Sequence, residues 1–143
     1  MFQRILLALD SSPARRRTLD TAASLASLSG GTVHVLHVDA SVAAGVAVLP
    51  LEEDAAAHGV LAEALNTLRD AGVPAEGELL QGLTIEIPGL ISAAVDRLGA
   101  DLLVLGPHHR GAFAGLLNPR VSDAVNHAVR IPLLLVPDAD QAA

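Results

Sequence analysis

Two residue types that carry much of enzyme chemistry are missing from this chain. No cysteine occurs among its 143 residues, which removes disulfides, thiolate nucleophiles and cysteine-based metal sites and suits a reducing compartment. Lysine is also absent, so all nine basic residues are arginines. That excludes lysine nucleophiles and pyridoxal chemistry, as well as the Gly-Lys-Ser or Gly-Lys-Thr phosphate loop. A receiver domain fails too, because it needs a lysine near its last strand and an aspartate ending the third, where this chain reads Leu80-Gln81. Asp10-Ser11-Ser12-Pro13 follows the first apolar run where a dinucleotide binder would carry Gly-x-Gly-x-x-Gly. Positive charge is scarce: the net charge is −7, and the one basic run, Arg15-Arg16-Arg17, reads as the solvated face of a helix start. Without clustered basic charge there is no counterion release to drive nucleic-acid binding. No stretch approaches the roughly 18 apolar residues of a membrane span, and the N-terminal apolar run is too short for a signal peptide. The expectation is a cytoplasmic protein without nucleic-acid or membrane partners.

What is present is apolar and periodic. Half of the residues are hydrophobic, 51%, enough for one well-buried core, so one domain is expected over 1–137 with a flexible tail over 138–143. Runs rich in Val, Ile and Leu alternate with segments of helical period. That alternation predicts a single-domain, doubly wound α/β fold: a five-stranded parallel sheet flanked by helices on both faces. The strands are expected at 4–9, 32–38, 75–80, 101–105 and 133–136. Ser12 and Pro13 suit an N-cap and first turn for helix one, whose apolar stripe is Leu19, Ala22, Ala23 and Ala26. Helix two, from 51 or 52 to 71, turns Leu61, Ala64, Leu65 and Leu68 inward. Gly82 then breaks the chain, and helix three carries Leu90, Ile91, Ala94, Val95 and Leu98 inward with Pro88 in its first turn. Helix four, 119–129, faces Val121, Ala124, Val125 and Ala128 inward. Residues 39–50 read as a partly mobile flap over the sheet edge, too long for an ordinary connection.

Four segments then carry a family likeness: Ile5-Leu-Leu-Ala-Leu-Asp10-Ser-Ser, Val33-His-Val-Leu-His-Val38, Gly99-Ala-Asp-Leu-Leu-Val-Leu-Gly106 and Pro132-Leu-Leu-Leu-Val136. In this order and spacing the chain resembles the universal stress protein family over nearly its whole length. The resemblance implies a Rossmann-like fold of the adenine nucleotide alpha hydrolase type and a homodimer. It also implies a cleft between the loop after the first strand and the glycine loop after the fourth, where ATP binds in some members.

The ATP-binding branch of that family carries glycine, two residues, glycine, nine residues, then glycine and serine or threonine. Here Gly106 matches, but the same count lands on His109, Pro119 and Arg120. Glycine lets backbone N–H groups approach phosphate oxygens, whereas His109 adds a ring and Pro119 has no N–H to donate. A shifted loop would let Gly111 or Gly115 take a glycine role. Gly106-Pro-His108-His109 is closer to the A-like branch, which the family pattern marks as not binding ATP. The cleft or its equivalent surface is therefore assigned to Asp10, Ser11, Ser12, Val38, Gly106, His108, His109, Arg110, Gly111 and Arg120.

Two functions follow from these residues. The first is a cytoplasmic stress-response protein that needs no cofactor, acts through protein partners of unknown identity and dimerises through the fifth strand, Leu133, Leu134, Leu135 and Val136, which would otherwise leave an apolar edge open. The second is a protein that binds ATP or AMP with weak or no hydrolysis. In nucleotide-binding relatives the aspartate at Asp10 lies beside ribose and phosphates, and Val38 offers backbone groups to adenine. A local role for Asp10, capping the turn before helix one, accounts for it equally well. No catalytic residue is assigned. No metal site is assigned either: adjacent His108 and His109 diverge, and His34 and His37 face opposite sides of their strand. One of the latter pair is expected as a hydrogen-bonded histidine at the sheet, with His58 and His127 on helix surfaces.

Overall fold

The computed structural model describes residues 1–106 and 121–137, so the expected tail lies outside the described residues. In chain order they form β1 (Arg4–Leu9), α1 (Arg15–Ser29), β2 (Thr32–Ala44), β3 (Ala47–Pro50), α2 (Asp54–Asp70) and β4 (Ala75–Leu83). A 3₁₀ turn (Thr84–Glu86), α3 (Ile87–Leu98), β5 (Leu102–Leu105), α4 (Val121–Ala128) and β6 (Leu133–Leu135) follow. β1 is central, in parallel with β2 on one edge and β5 on the other; β2 carries β4 and β5 carries β6, again in parallel. The order β4-β2-β1-β5-β6 reverses direction between β1 and β5, as a doubly wound sheet does.

The two-residue period of the strands sorts their side chains into two cores. Ile5, Leu7, Val33, Val35, Leu102 and Val104 pack under Leu19, Ala22 and Ala26 of α1 and Ala64 and Leu68 of α2. Leu6, Leu36, Leu103 and Leu105 pack under Ile91, Ala94 and Val95 of α3 and Val125 of α4. Because β1 and β5 are covered on both faces, they read as unbroken apolar runs. Among the described residues no helix is long and apolar enough to cross a membrane.

The structure corrects the reading of 39–50 as a mobile flap. β2 runs on to Ala44, turns through Gly45 at φ +62° and Val46, and returns as antiparallel β3 with Ala44 opposite Ala47. Positive φ at the first central residue of a two-residue loop matches the twist of a hairpin. The side on which β3 lies follows from hydrogen-bond alternation along β2. Thr32 N–H donates to Gln3 on the β1 side, and Val33 N–H to Pro74 on the β4 side. The Ala40 carbonyl therefore faces the β1 side, where it accepts the Leu51 N–H at 2.9 Å. β3 thus stands in the row of β1, beyond the point where β1 ends, and the sheet has six strands with one antiparallel pair.

Three further expectations are revised. Helix α1 begins at Arg15 rather than at Pro13, with Ala14 as N-cap and no side-chain cap, because the Ser12 hydroxyl is held by Asp10 Oδ1 at 2.6 Å. Gly82 does not break the chain: β4 passes through it to Leu83, and the missing side chain leaves room for Glu86 and Leu90, each 2.9 Å from where a Cβ would sit. On α4, Val125 is buried as expected, but Ala124 and Ala128 are exposed.

Candidate functional site

The carboxyl ends of β1, β2 and β5 meet at the point where the sheet order reverses, the usual place for a ligand in such a sheet. Asp10, the first residue after β1, is exposed, and its Oδ1 accepts both the N–H of Ser12 at 2.9 Å and the Ser12 hydroxyl at 2.6 Å. This is a local turn held by the aspartate side chain. The Arg15 guanidinium donates to the carbonyls of Ser11 and Ser12 at 3.1 and 3.0 Å and to Glu63 of α2 at 3.1 Å. The same Glu63 takes Arg16 at 3.2 Å. Two of the three arginines of the basic run are thus pinned to α2.

On the β5 side, Gly106 passes so close to α1 that a Cβ on it would lie 2.9 Å from Thr18 Oγ1. Thr18 is fully buried, and its hydroxyl has no hydrogen-bond partner among the described residues. His108, His109, Arg110, Gly111 and Arg120 lie outside the described residues.

On the β2 side, Val38 is half-buried, and of the polar groups beside it, His37, Asp39 and Glu52, sequence reasoning singled out only the histidine. His37, 2% exposed, places Nδ1 at 2.8 Å from the Leu9 carbonyl and Nε2 at 2.6 Å from Glu52 Oε1. A carbonyl only accepts, so Nδ1 carries a proton. The bond to Glu52 is then either imidazolium to carboxylate or a carboxylic acid donating to neutral imidazole. In both forms one proton lies between the two side chains, and neither ring nitrogen is open to act as a base. Glu52 Oε2 and Asp39 Oδ1 are buried acceptors without a hydrogen-bond partner among the described residues.

The expectation of one hydrogen-bonded histidine at the sheet is met by His37, and His34 faces the other core. Glu52 lies 15 residues further on, across the hairpin, so no local spacing signals the contact. His58 is on the surface beside Asp54, 3.6 Å away, and His127 is exposed. At the outer edge, β6 bonds to β5 alone among the described strands; Leu133 and Leu134 are half-buried, Leu135 is exposed and Val136 packs into the α1-side core.

A doubly wound sheet with helices on both faces has the Rossmann-like fold of the nucleotide-binding type. The model of the Universal stress protein family matches residues 1–137, and the chain belongs to that family. Solved structures agree in fold. A universal stress protein from Archaeoglobus fulgidus is 26% identical with a TM-score of 0.69, covering 94% of this chain and 98% of its own. The Archaeoglobus fulgidus protein in complex with dAMP is likewise 26% identical, with a TM-score of 0.66, covering 94% of this chain and 98% of that one. A universal stress protein in complex with cAMP matches at 22% identity and a TM-score of 0.69, covering 96% of this chain and 98% of that one.

Proposed function

We propose that this chain is an A-like universal stress protein: a cytoplasmic homodimer, joined through the β6 edge, that serves the stress response by contacting protein partners rather than by catalysis. It needs no cofactor and does not hold ATP tightly. The observation that carries this reading is the position of β3 and the strap after it. Ligands of such sheets take the crevice outside the carboxyl ends of the strands; here the chain's own residues 50–53 lie over the end of β1, latched by Glu52 to His37 at 2.6 Å. His109, Pro119 and Arg120 in place of glycine, glycine and serine add to it, because none supplies the close backbone approach a phosphate requires. The engagement of both His37 nitrogens and of Asp10 in local bonds supports a non-enzymatic role.

A second reading, adenine-nucleotide binding, draws on the dAMP complex of the Archaeoglobus fulgidus relative and on the unpartnered acceptors Asp39 Oδ1 and Glu52 Oε2, either of which suits a ribose hydroxyl or an amino group. Calorimetric titration of nucleotide-stripped protein with ATP and Mg²⁺, with mass spectrometry of any ligand carried through purification, separates the two. The first reading expects no heat at millimolar ATP; micromolar affinity or co-purified nucleotide overturns it in favour of the second. The variant H109G/P119G/R120S gains binding if loop chemistry is the obstacle, and Glu52→Ala gains it if the strap is.

A further inference from the structure

At the opposite end of the sheet, a cavity of about 300 Å³ opens at the amino ends of β1, β2 and β4. That volume is at the small end of ligand sites. Its floor is made by Arg4 and Leu6, Thr32 and His34, and Pro74 and Glu76, and its wall by Leu98 and Ala100 at the end of α3. The even-numbered strand residues all face α3, and α3 stops before covering them, which leaves the space open.

Two charged side chains of opposite sign line this space. Among the described residues, Arg15 and Arg16 meet Glu63, Arg97 meets Glu78, and Arg69 donates to the Ala75 carbonyl, whereas Arg17 and Arg130, like Arg4, have no such partner. The Arg4 guanidinium and the Glu76 carboxylate have no hydrogen bond or ion pair among the described residues, with each other or with anything else. Arg4 extends to the α3 wall, where its Nη1 lies 3.1 Å from the point a Gly99 Cβ would occupy. There it meets the negative end of the helix dipole. Glu76 stands on the other side, on β4, opposite His34 with β2 between it and β1. The imidazole of His34 turns its Nε2 away, toward Glu78 at 3.7 Å. One cation on β1 and one anion on β4 thus line the same small space, together with the apolar side chains of Leu98, Ala100 and Pro74.

We propose that this cavity binds a small aliphatic α-amino acid as a zwitterion, its carboxylate on Arg4, its ammonium on Glu76 and its side chain against Leu98 and Pro74. A guanidinium suits a carboxylate because it donates two parallel hydrogen bonds. An anion alone would leave Glu76 as a repelling neighbour, and an amine alone would do the same with Arg4. The site is separate from the cleft at the carboxyl ends, so its test does not depend on the ATP titration.

The test titrates the purified protein with L-alanine, L-valine and L-leucine, following backbone amide shifts and heat. Isopentylamine and 4-methylpentanoate serve as probes that keep one charge each. The expected result is saturable binding of at least one amino acid, with shifts at Thr32, His34, Glu76 and Ala100, and a loss of roughly tenfold or more in affinity for Arg4→Ala and for Glu76→Gln. Both side chains are exposed, so these variants keep the wild-type unfolding midpoint. No binding at millimolar concentrations, equal binding of the amine or the acid alone, or affinity unchanged in both variants overturns the proposal.

Discussion

The carboxylate of Asp101 accepts the backbone N–H of Arg4 at 3.0 Å, and its second oxygen takes the N–H of Gln3 at 2.8 Å. Asp101 N–H returns a bond to the Arg4 carbonyl at 2.9 Å. One side chain ahead of β5 thus fixes where β1 begins, 97 residues earlier in the chain. Asp101→Ala leaves two backbone donors without their acceptor and is expected to cost about 1–3 kcal/mol of stability. Urea unfolding measures it, and an unchanged midpoint sinks the assignment.

Gly106 is required by space rather than by backbone conformation. Gly106→Ala places a methyl 2.9 Å from Thr18 Oγ1, and the overpacking is expected to cost about 1–3 kcal/mol. Removing the hydroxyl should return part of that loss. The double variant Thr18→Ala with Gly106→Ala is therefore expected to be more stable than the sum of the two singles predicts, which a double-mutant cycle reads directly; strict additivity would rule out the contact.

The strap latch gives a third expectation. Glu52→Ala strands a buried imidazole nitrogen, at an expected cost of roughly 1–3 kcal/mol. It also speeds hydrogen exchange at Leu51 and Glu53 more than at β1. If exchange at the strap is no faster than in wild type, Glu52 does not hold it down.

The β6 edge gives a fourth. Leu135 is 50% exposed on a strand whose outer edge is open among the described residues. Leu135→Asp should leave the fold intact while turning a dimer into a monomer by light scattering, since a charge on an exposed edge strand opposes pairing with a second copy. A wild-type protein that is monomeric at micromolar concentration would dispose of the dimer.

The parts of the fold legible in the sequence are those buried on both faces. β1 spans the same residues that its apolar run marks out, and β5 differs by Asp101 alone, because a strand covered by helices on either side must be apolar throughout. Helix stripes were legible where the helix packs on the sheet centre, as in Leu19, Ala22 and Ala26 of α1. On α4 the alanines matched the period yet stay exposed, since alanine is small enough to sit on either face. The β2–β3 hairpin was missed because its residues are mostly alanine and valine, and alanine has little strand preference. With the hairpin went the His37–Glu52 pair, which exists only once the chain has folded back. Asp10 was open between a local turn and a ligand contact, and in the structure its Oδ1 makes the turn bonds to Ser12.

Glu63 joins these observations in another way. It sits on α2, the helix that begins where the strap ends, and its two oxygens take Arg15 and Arg16 of α1. Arg15 in turn grips the carbonyls of Ser11 and Ser12 in the loop after β1. The strap on one bank and the serine loop on the other are therefore both tied to α2, the strap by the chain itself and the loop through Arg15 and Glu63.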